Sequence, residues 1–418
     1  MPPSPAPLPY HRAIVAHLRT AEPGLWDWFA SARRRGAEAD AVRLDLLKST
    51  YRLDPATQSQ LYALAEEVRG RMNLACTVTL YQSQTGGGLN AALAYLPGEA
   101  HVIFSGPLTG VLTEPEVRAV LAHELGHYLL DEEAGGEYLV AADLLRALAV
   151  DPVAGGVAAE SARLFALWTE IYADRWAGHV SAGAAVAALL KTSTGLSEVD
   201  AASYLRQADE IFAAGEVKTA EVSHPEPYVR ARALRLWVER GDAAGGEVER
   251  MIEGGLNLQR LDLLGRGRAA DLTRRFLHAL IAPAWFRTEA VMAHAGRFFA
   301  DFAADARPPD PAAVKADLDR GDDALRDYAC YLMLDFASVD RDLGDPAVAA
   351  AVVLARRLGI DARFAELAPK ELGIGKKAFA KLDRDAEALL AKTDRRSTSP
   401  GRRSRCRSTR PTSAPTRF

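Results

Sequence analysis

Between residues 10 and 72, apolar and charged positions alternate with a helical period. In LYALAEEVRGRM the residues Leu61, Leu64, Val68 and Met72 fall on one face. The period then changes. CTVTLYQS (Cys76–Ser83) is rich in β-branched residues and runs towards the turn-forming glycines 86–88. LNAALAYL and AHVIFSG follow, separated by Pro97 and Gly98. Runs of this kind, punctuated by Gly and Pro, predict a small sheet of about three strands.

Helical spacing returns at Glu114 and predicts a helix to about Leu130. Thr113 stands at the N-cap, with Glu116 three residues later to complete a capping box. Leu112 and Val117 are spaced as a hydrophobic staple, and Pro115 sits in the first turn, where its missing N–H costs nothing. A second long helix is predicted over SARLFALWTEIYADRWAGHVS, residues 161–181. From about Arg240 the pattern is helical throughout, broken at GDAAGG, RPPDP and GDP. The expected class is therefore α+β and mainly α. Its parts are an N-terminal helical segment (1–72), a core with the small sheet (73–240), a C-terminal all-helical domain (241–393) and a tail (394–418).

Composition narrows this picture. With 49% hydrophobic and 25% charged residues, most of the chain is expected to be globular. A net charge of −4 over 418 residues gives no reason to expect nucleic acid as a partner. The tail after Asp394 has eight arginines and no acid, and is expected to be a disordered basic extension. Three scattered cysteines fit a reducing compartment, and prolines near the N-terminus stand where a signal peptide needs an apolar run. A cytoplasmic location without a transmembrane segment is the expectation.

One apolar run carries polar residues that need an explanation. VLAHELGHYLL contains His123, Glu124 and His127, and burying such side chains is unfavourable unless they find partners. Residues four apart on a helix share a face about 6 Å apart along the axis, so two imidazoles there can converge on one zinc ion. Zinc lowers the pKa of a water from 15.7 to about 7, and Glu124 is placed to take its proton as general base.

A zinc hydrolase needs a third protein ligand. The extended HExxHxxGxxH pattern is excluded, because Leu130 and Glu133 occupy its last two positions. Glu133 would also be turned off the His123/His127 face. Glu170 in WTEIYADRW is the better ligand. Asp174, one turn on, can orient a ligand histidine by accepting its second N–H. His224 in SHPEPYVRARAL is either an oxyanion-stabilising donor beside the metal or part of a helix-entry turn. His179 is read as structural, and Asp340, Asp342 and Asp345 as a solvated interhelical loop.

Taken together, four motifs in order resemble the zinc metallopeptidases of the HtpX and CAAX-prenyl-protease type, metallopeptidase family 48, among the gluzincins. They are NAALAYL, SGPLTGVLTEPEVRAVLAHELGH, EIYAD and HPEPYVR, and the likeness spans roughly Leu61 to Trp237. The resemblance implies a gluzincin-type helical core and one Zn2+ per chain held by His123, His127 and Glu170. It implies Glu124 as the base, Asp174 behind the ligands, His224 stabilising the transition state and Arg230 supporting the site. Asn90 would lie on an edge strand along which a peptide or protein substrate pairs.

Many relatives carry hydrophobic spans between the HExxH helix and the third ligand. Here that stretch holds Asp131, Glu132, Glu133, Glu137, Asp143, Arg146, Asp151, Glu160 and Arg163, which cannot sit cheaply in hydrocarbon. The expectation is thus a zinc metalloendopeptidase resembling soluble members. The alternative is a catalytically silent chaperone or binding protein on a protease fold.

Overall fold

Four strands form one sheet in the order β1-β2-β4-β3: β1 (Thr50–Arg52), β2 (Thr77–Ser83), β3 (Asn90–Leu96) and β4 (Glu99–Ser105). The structure, a computed structural model, describes residues 4–33, 39–84, 87–150, 155–215, 224–304 and 310–398. Of the predicted glycine turn, Gly86 lies outside them. β3 and β4 pair antiparallel from Asn90↔Ser105 to Leu96↔Glu99, so Pro97 and Gly98 alone make the hairpin turn. Gly98 takes the left-handed position with φ of 75°. β2 runs parallel to β4, which leaves β3 as an edge. The pattern predicted about three strands. It missed β1, whose three residues are too few to show alternation.

The chain divides into two compact units, Met1–Arg268 and Ala269–Phe418. The first begins with α1 (Pro9–Ala21), α2 (Pro23–Arg33), α3 (Ala39–Ser49) and α4 (Ser59–Arg71). After the sheet come the single turn α5 (Leu108–Val111), then α6 (Glu114–Glu132), α7 (Glu137–Ala149), α8 (Gly155–Thr194), α9 (Ala201–Ala213), α10 (Pro227–Arg240) and α11 (Gly245–Ile252). Ile14 and Leu18 of α1 are buried in one core with Leu80 and Phe104 of the sheet, Leu121 and Leu125 of α6, and Ile171 and Tyr172 of α8. The N-terminal helices therefore share the core of the HELGH helix instead of standing apart. The compact unit also continues past residue 240, where the pattern placed a boundary.

α6 is an interior helix, with buried residues on nearly every side, as expected for a run apolar all round. Its start follows the prediction. The Thr113 N–H donates to Glu116 Oε2 at 2.8 Å, and Leu112 and Val117 are buried. It ends two residues past the predicted Leu130.

α8 is much longer than the predicted 161–181 segment, yet its regular course breaks at Ser181 (φ −147°, ψ 62°). Two bonds tie the part after the break to the first turn of α6. Ser181 Oγ donates to the Pro115 carbonyl at 2.9 Å, and Lys191 Nζ donates to Glu116 Oε2 at 2.9 Å. Both partners of the second bond are buried, so the carboxylate that caps α6 also neutralises Lys191.

α12 (Leu263–Leu280) contains the division between the units. The second unit continues with α13 (Glu289–Phe298), α14 (Pro311–Arg320), α15 (Asp323–Val339), α16 (Asp345–Leu358), α17 (Asp361–Glu371) and α18 (Lys376–Thr398). α16, rich in alanine and valine, is buried on most sides. The architecture as a whole is mainly α with one small mixed sheet. α18 carries regular structure to Thr398, into the segment whose composition predicted disorder; residues from 399 on lie outside the described ones. Among the described residues no helix is long and apolar enough to cross a membrane.

Replacing Lys191 with methionine leaves Glu116 buried beside an apolar side chain. The expected cost is on the order of 3 kcal/mol, visible in urea unfolding as a lower midpoint with an unchanged slope.

Candidate metal centre

Two helices deliver the polar cluster because they approach each other unusually closely. A Cβ built on Gly126, inside HELGH, would stand 3.1 Å from the Ala173 Cα and 3.4 Å from the Trp176 side chain. Glycine at this position spares α6 and α8 that tight contact. The contact lies next to His127 on one helix and Asp174 on the other, so the functional side chains are brought face to face.

His123 and His127 point their Nε2 atoms at one another across 3.2 Å. Glu170 of α8 faces both, with Oε2 at 3.5 Å from His123 Nε2 and Oε1 at 3.6 Å from His127 Nε2. One ligand atom from each of the three residues lies within 4.8 Å of the others, and this is the single such group among the described residues. A tetrahedral zinc with bonds of about 2.0–2.1 Å separates neighbouring ligand atoms by about 3.3 Å. The donor set, two nitrogens and one carboxylate, and its spacing therefore fit zinc.

Behind the cluster a second layer fixes the donors. His123 Nδ1 lies 3.0 Å from Asp174 Oδ1, so Nδ1 keeps a proton and, when the ring is neutral, its Nε2 lone pair faces the cluster. Arg230 of α10 grips Asp174 with both ends of its guanidinium, Nε to Oδ2 at 2.8 Å and Nη2 to Oδ1 at 2.7 Å. Its Nη1 also reaches Glu170 Oε2 at 3.4 Å. His224, just before α10, is 65% exposed, with Nε2 at 3.8 Å from Glu170 Oε1.

Burial and charge push these groups apart in pKa. Burial disfavours a charged His123, but its bonds to Asp174 and Glu170 outweigh that and raise it to about 10. Burial, with the positive charges of His123 and Arg230, lowers His127 to about 4. Of two ring nitrogens facing each other, one takes the proton. Glu170 and Asp174 are also opposed by burial, yet the histidines and Arg230 hold both below the usual carboxylate range. Glu124 is buried without such close partners. Burial and the nearby Glu170 raise it to about 7, against the pull of His123 and Arg230.

The cluster opens into a cleft of about 480 Å³. One wall is the edge strand β3, from Asn90 to Leu93 together with Tyr95; the others come from α6, α8, His224 and Arg230. Tyr95 also donates to Glu132 Oε1 at 2.7 Å, tying the strand to the end of α6. All the side chains singled out in the sequence thus line one cleft: His123, Glu124, His127, Glu170, Asp174, His224, Arg230 and Asn90. His179 packs its ring against Trp176, outside the cluster. Glu133 and the aspartates at 340, 342 and 345 belong to no such group. Pattern reading passed over Gly126, although a glycine inside a buried helix is itself a signal of close packing.

Paired helices that offer two histidines and a carboxylate beside a sheet edge have the layout of a metallopeptidase. Residues 55–238 match the model of peptidase family M48, which supports membership of that family. No curated protein and no solved structure matches the chain.

The pKa pattern sets a pH dependence for protein held metal-free by a chelator. The His123 contribution is full below about pH 6.5 and is lost as pH rises towards 10. Glu124 and His127 act mainly below pH 7. The thermal midpoint of metal-free protein is therefore expected to fall between pH 7 and 9. Asp174→Asn, which removes a support of the protonated ring, should flatten that slope.

Proposed function

We propose that the protein is a zinc-dependent endopeptidase in which His123, His127 and Glu170 hold the metal. The observation that carries this reading is the convergence of those three donors at near-tetrahedral spacing, with the buried carboxyl of Glu124 on the same cleft. A bound zinc would supply Lewis acidity, acidifying a water and polarising the scissile carbonyl.

The chain's own residues perform the rest. Glu124 is the general base: its buried carboxylate lines the cleft beside His123, so it can take the water's proton and hand it to the leaving amine. Asp174 keeps His123 in the tautomer that offers Nε2 to the metal. Arg230 locks Asp174 in turn and steadies Glu170. His224, exposed at the cleft, donates a hydrogen bond to the oxyanion of the tetrahedral intermediate. The substrate lies extended along β3, where the free edge pairs with its backbone and Asn90 marks the strand's start.

Two measurements test this. Glu124→Gln should retain about one zinc per chain while losing cleavage by a factor on the order of a thousand or more. Cleavage within threefold of wild type would overturn the role of Glu124. Equal client binding by the wild type and this variant, with no cleavage by either, would leave a protease-fold binding protein. Zinc titration calorimetry near pH 7.5, in buffers of different ionisation enthalpy, should report release of about one proton per metal ion. His123 would carry that proton in the metal-free protein. His123→Ala and Glu170→Ala should each weaken zinc binding at least a hundredfold.

A further inference from the structure

The first compact unit contains a second cavity, which shares no lining residue with the cleft. It holds about 530 Å³, within the usual range for small-molecule sites, and opens between the N-terminal segment, α8, α10, α11 and the start of α12. α8 contributes Trp168 and Arg175, seven residues apart and so on one stripe. At 100° per residue that stripe is turned roughly 130° round the helix from Glu170 and Asp174. α10 contributes Trp237, nearly two full turns after Arg230 and therefore on the same face as the guanidinium that grips Asp174.

The polar groups of the walls hold one another. Trp168 Nε1 donates to Glu253 Oε1 at 3.1 Å, and Arg268 Nη1 donates to Glu253 Oε2 at 2.9 Å. Arg175 Nη2 donates to Asp242 Oδ1 at 2.7 Å, and its guanidinium lies 4.9 Å from the centre of the Trp237 ring. Tyr10 gives its hydroxyl proton to Asp262 Oδ2 at 2.8 Å. What these bonds leave for an occupant is mainly ring faces and hydrocarbon: the two indoles, Pro7, Leu8, Pro9 and Leu264. Arg12 and Glu249, which also line the cavity, are exposed and opposite in sign. Gly245 and Gly246 keep one wall open, since a Cβ on either meets nothing nearer than 4.0 Å.

We propose that this cavity binds a small uncharged aromatic molecule, and that its occupant alters the metal affinity of the cluster through α8 and α10. Flat rings stack on indole faces and bury much apolar surface there. A charged ligand would give up its water for walls whose own charges are already matched. The link to the cluster follows from shared helices. Arg175 is the chain neighbour of Asp174, and Trp237 shares a face with Arg230, so an occupant pressing on either acts on the pair that fixes His123 and steadies Glu170. That link rests on the zinc reading given above; binding in the cavity does not.

The experiment titrates the full chain with N-phenyl-naphthylamine, an uncharged aromatic probe whose emission rises in apolar surroundings. Its sulfonated analogue, anilinonaphthalene sulfonate, serves as the charged comparison. The uncharged probe should saturate at about one per chain and bind at least tenfold tighter than the sulfonate. Gly245→Phe, whose Cβ meets open space, should fill the cavity and weaken the probe at least tenfold. Ala13→Phe, on α1 at the same cavity, provides a second filling change if Gly245→Phe does not fold. Ala188→Leu, in the cleft beside the cluster, should leave probe binding unchanged. Zinc affinity, read by competition with a chelator, should shift at least threefold at saturating probe, and Gly245→Phe should abolish the shift. Coupling is reciprocal, so zinc should change the probe's affinity by the same factor.

No saturable binding of the uncharged probe overturns the proposal, as does equal binding of the two probes, indifference to both filling changes, or loss of binding in Ala188→Leu alone. Probe bound in the cavity with zinc affinity unmoved overturns the link and leaves the site. A protein that binds the probe there but takes up no zinc overturns the link together with the zinc reading, and again leaves the site.

Discussion

The close approach of α6 to α8 at Gly126 and Ala173 is the constraint on which the rest of the site depends. A side chain at residue 126 would push the two helices apart by a few tenths of an ångström at the point where Glu170 faces both histidines. A methyl group at residue 126 would press on backbone, which cannot yield as a flexible side chain can. The geometry of the cluster is therefore set by a packing requirement before any metal is considered. Two acidic residues, a guanidinium and two imidazoles then fill the confined space. They do so without an unpaired buried charge because Arg230 meets Asp174 bidentately and Asp174 meets His123.

That sequence of supports gives each residue a limited task. Asp174 and Arg230 stand behind the donors, and their effect is to fix a tautomer and a side-chain angle. Glu124 differs from its neighbours because it lacks a close cationic partner. Its raised pKa and the lowered pKa of Glu170 arise in one cavity from different hydrogen bonding. Carboxyl groups pushed apart in this way are suited to separate roles, one as a proton carrier and one as a ligand.

Much of this was legible in the amino-acid pattern, for reasons of range. The capped start of α6 and the i,i+4 histidines are local features, so spacing alone reports them. Glu170 and Asp174 were visible because a helix again places residues four apart on one face, although nothing local says which face turns towards α6. The helix predicted to end at Ser181 does break there, but its resumption beyond that residue was not legible, because the second stretch is tied by bonds to Pro115 and Glu116 far away in sequence. β1 escaped for the opposite reason, being too brief to carry a period. The continuation of α18 to Thr398 shows that an arginine-rich composition does not by itself end a helix, since arginine is a good helix former.

The Ser181 break has a consequence for how such a protein can change. It separates α8 into a stretch that carries Glu170 and Asp174 and a stretch whose Ala185, Ala188, Leu189 and Thr192 line the cleft. The two are joined by a residue already out of helical register. The second stretch is tied to Pro115 and Glu116 of α6 by bonds of its own. In evolutionary terms the helix is two modules in tandem, so the lining of the cleft can drift while the cluster next to it is held constant.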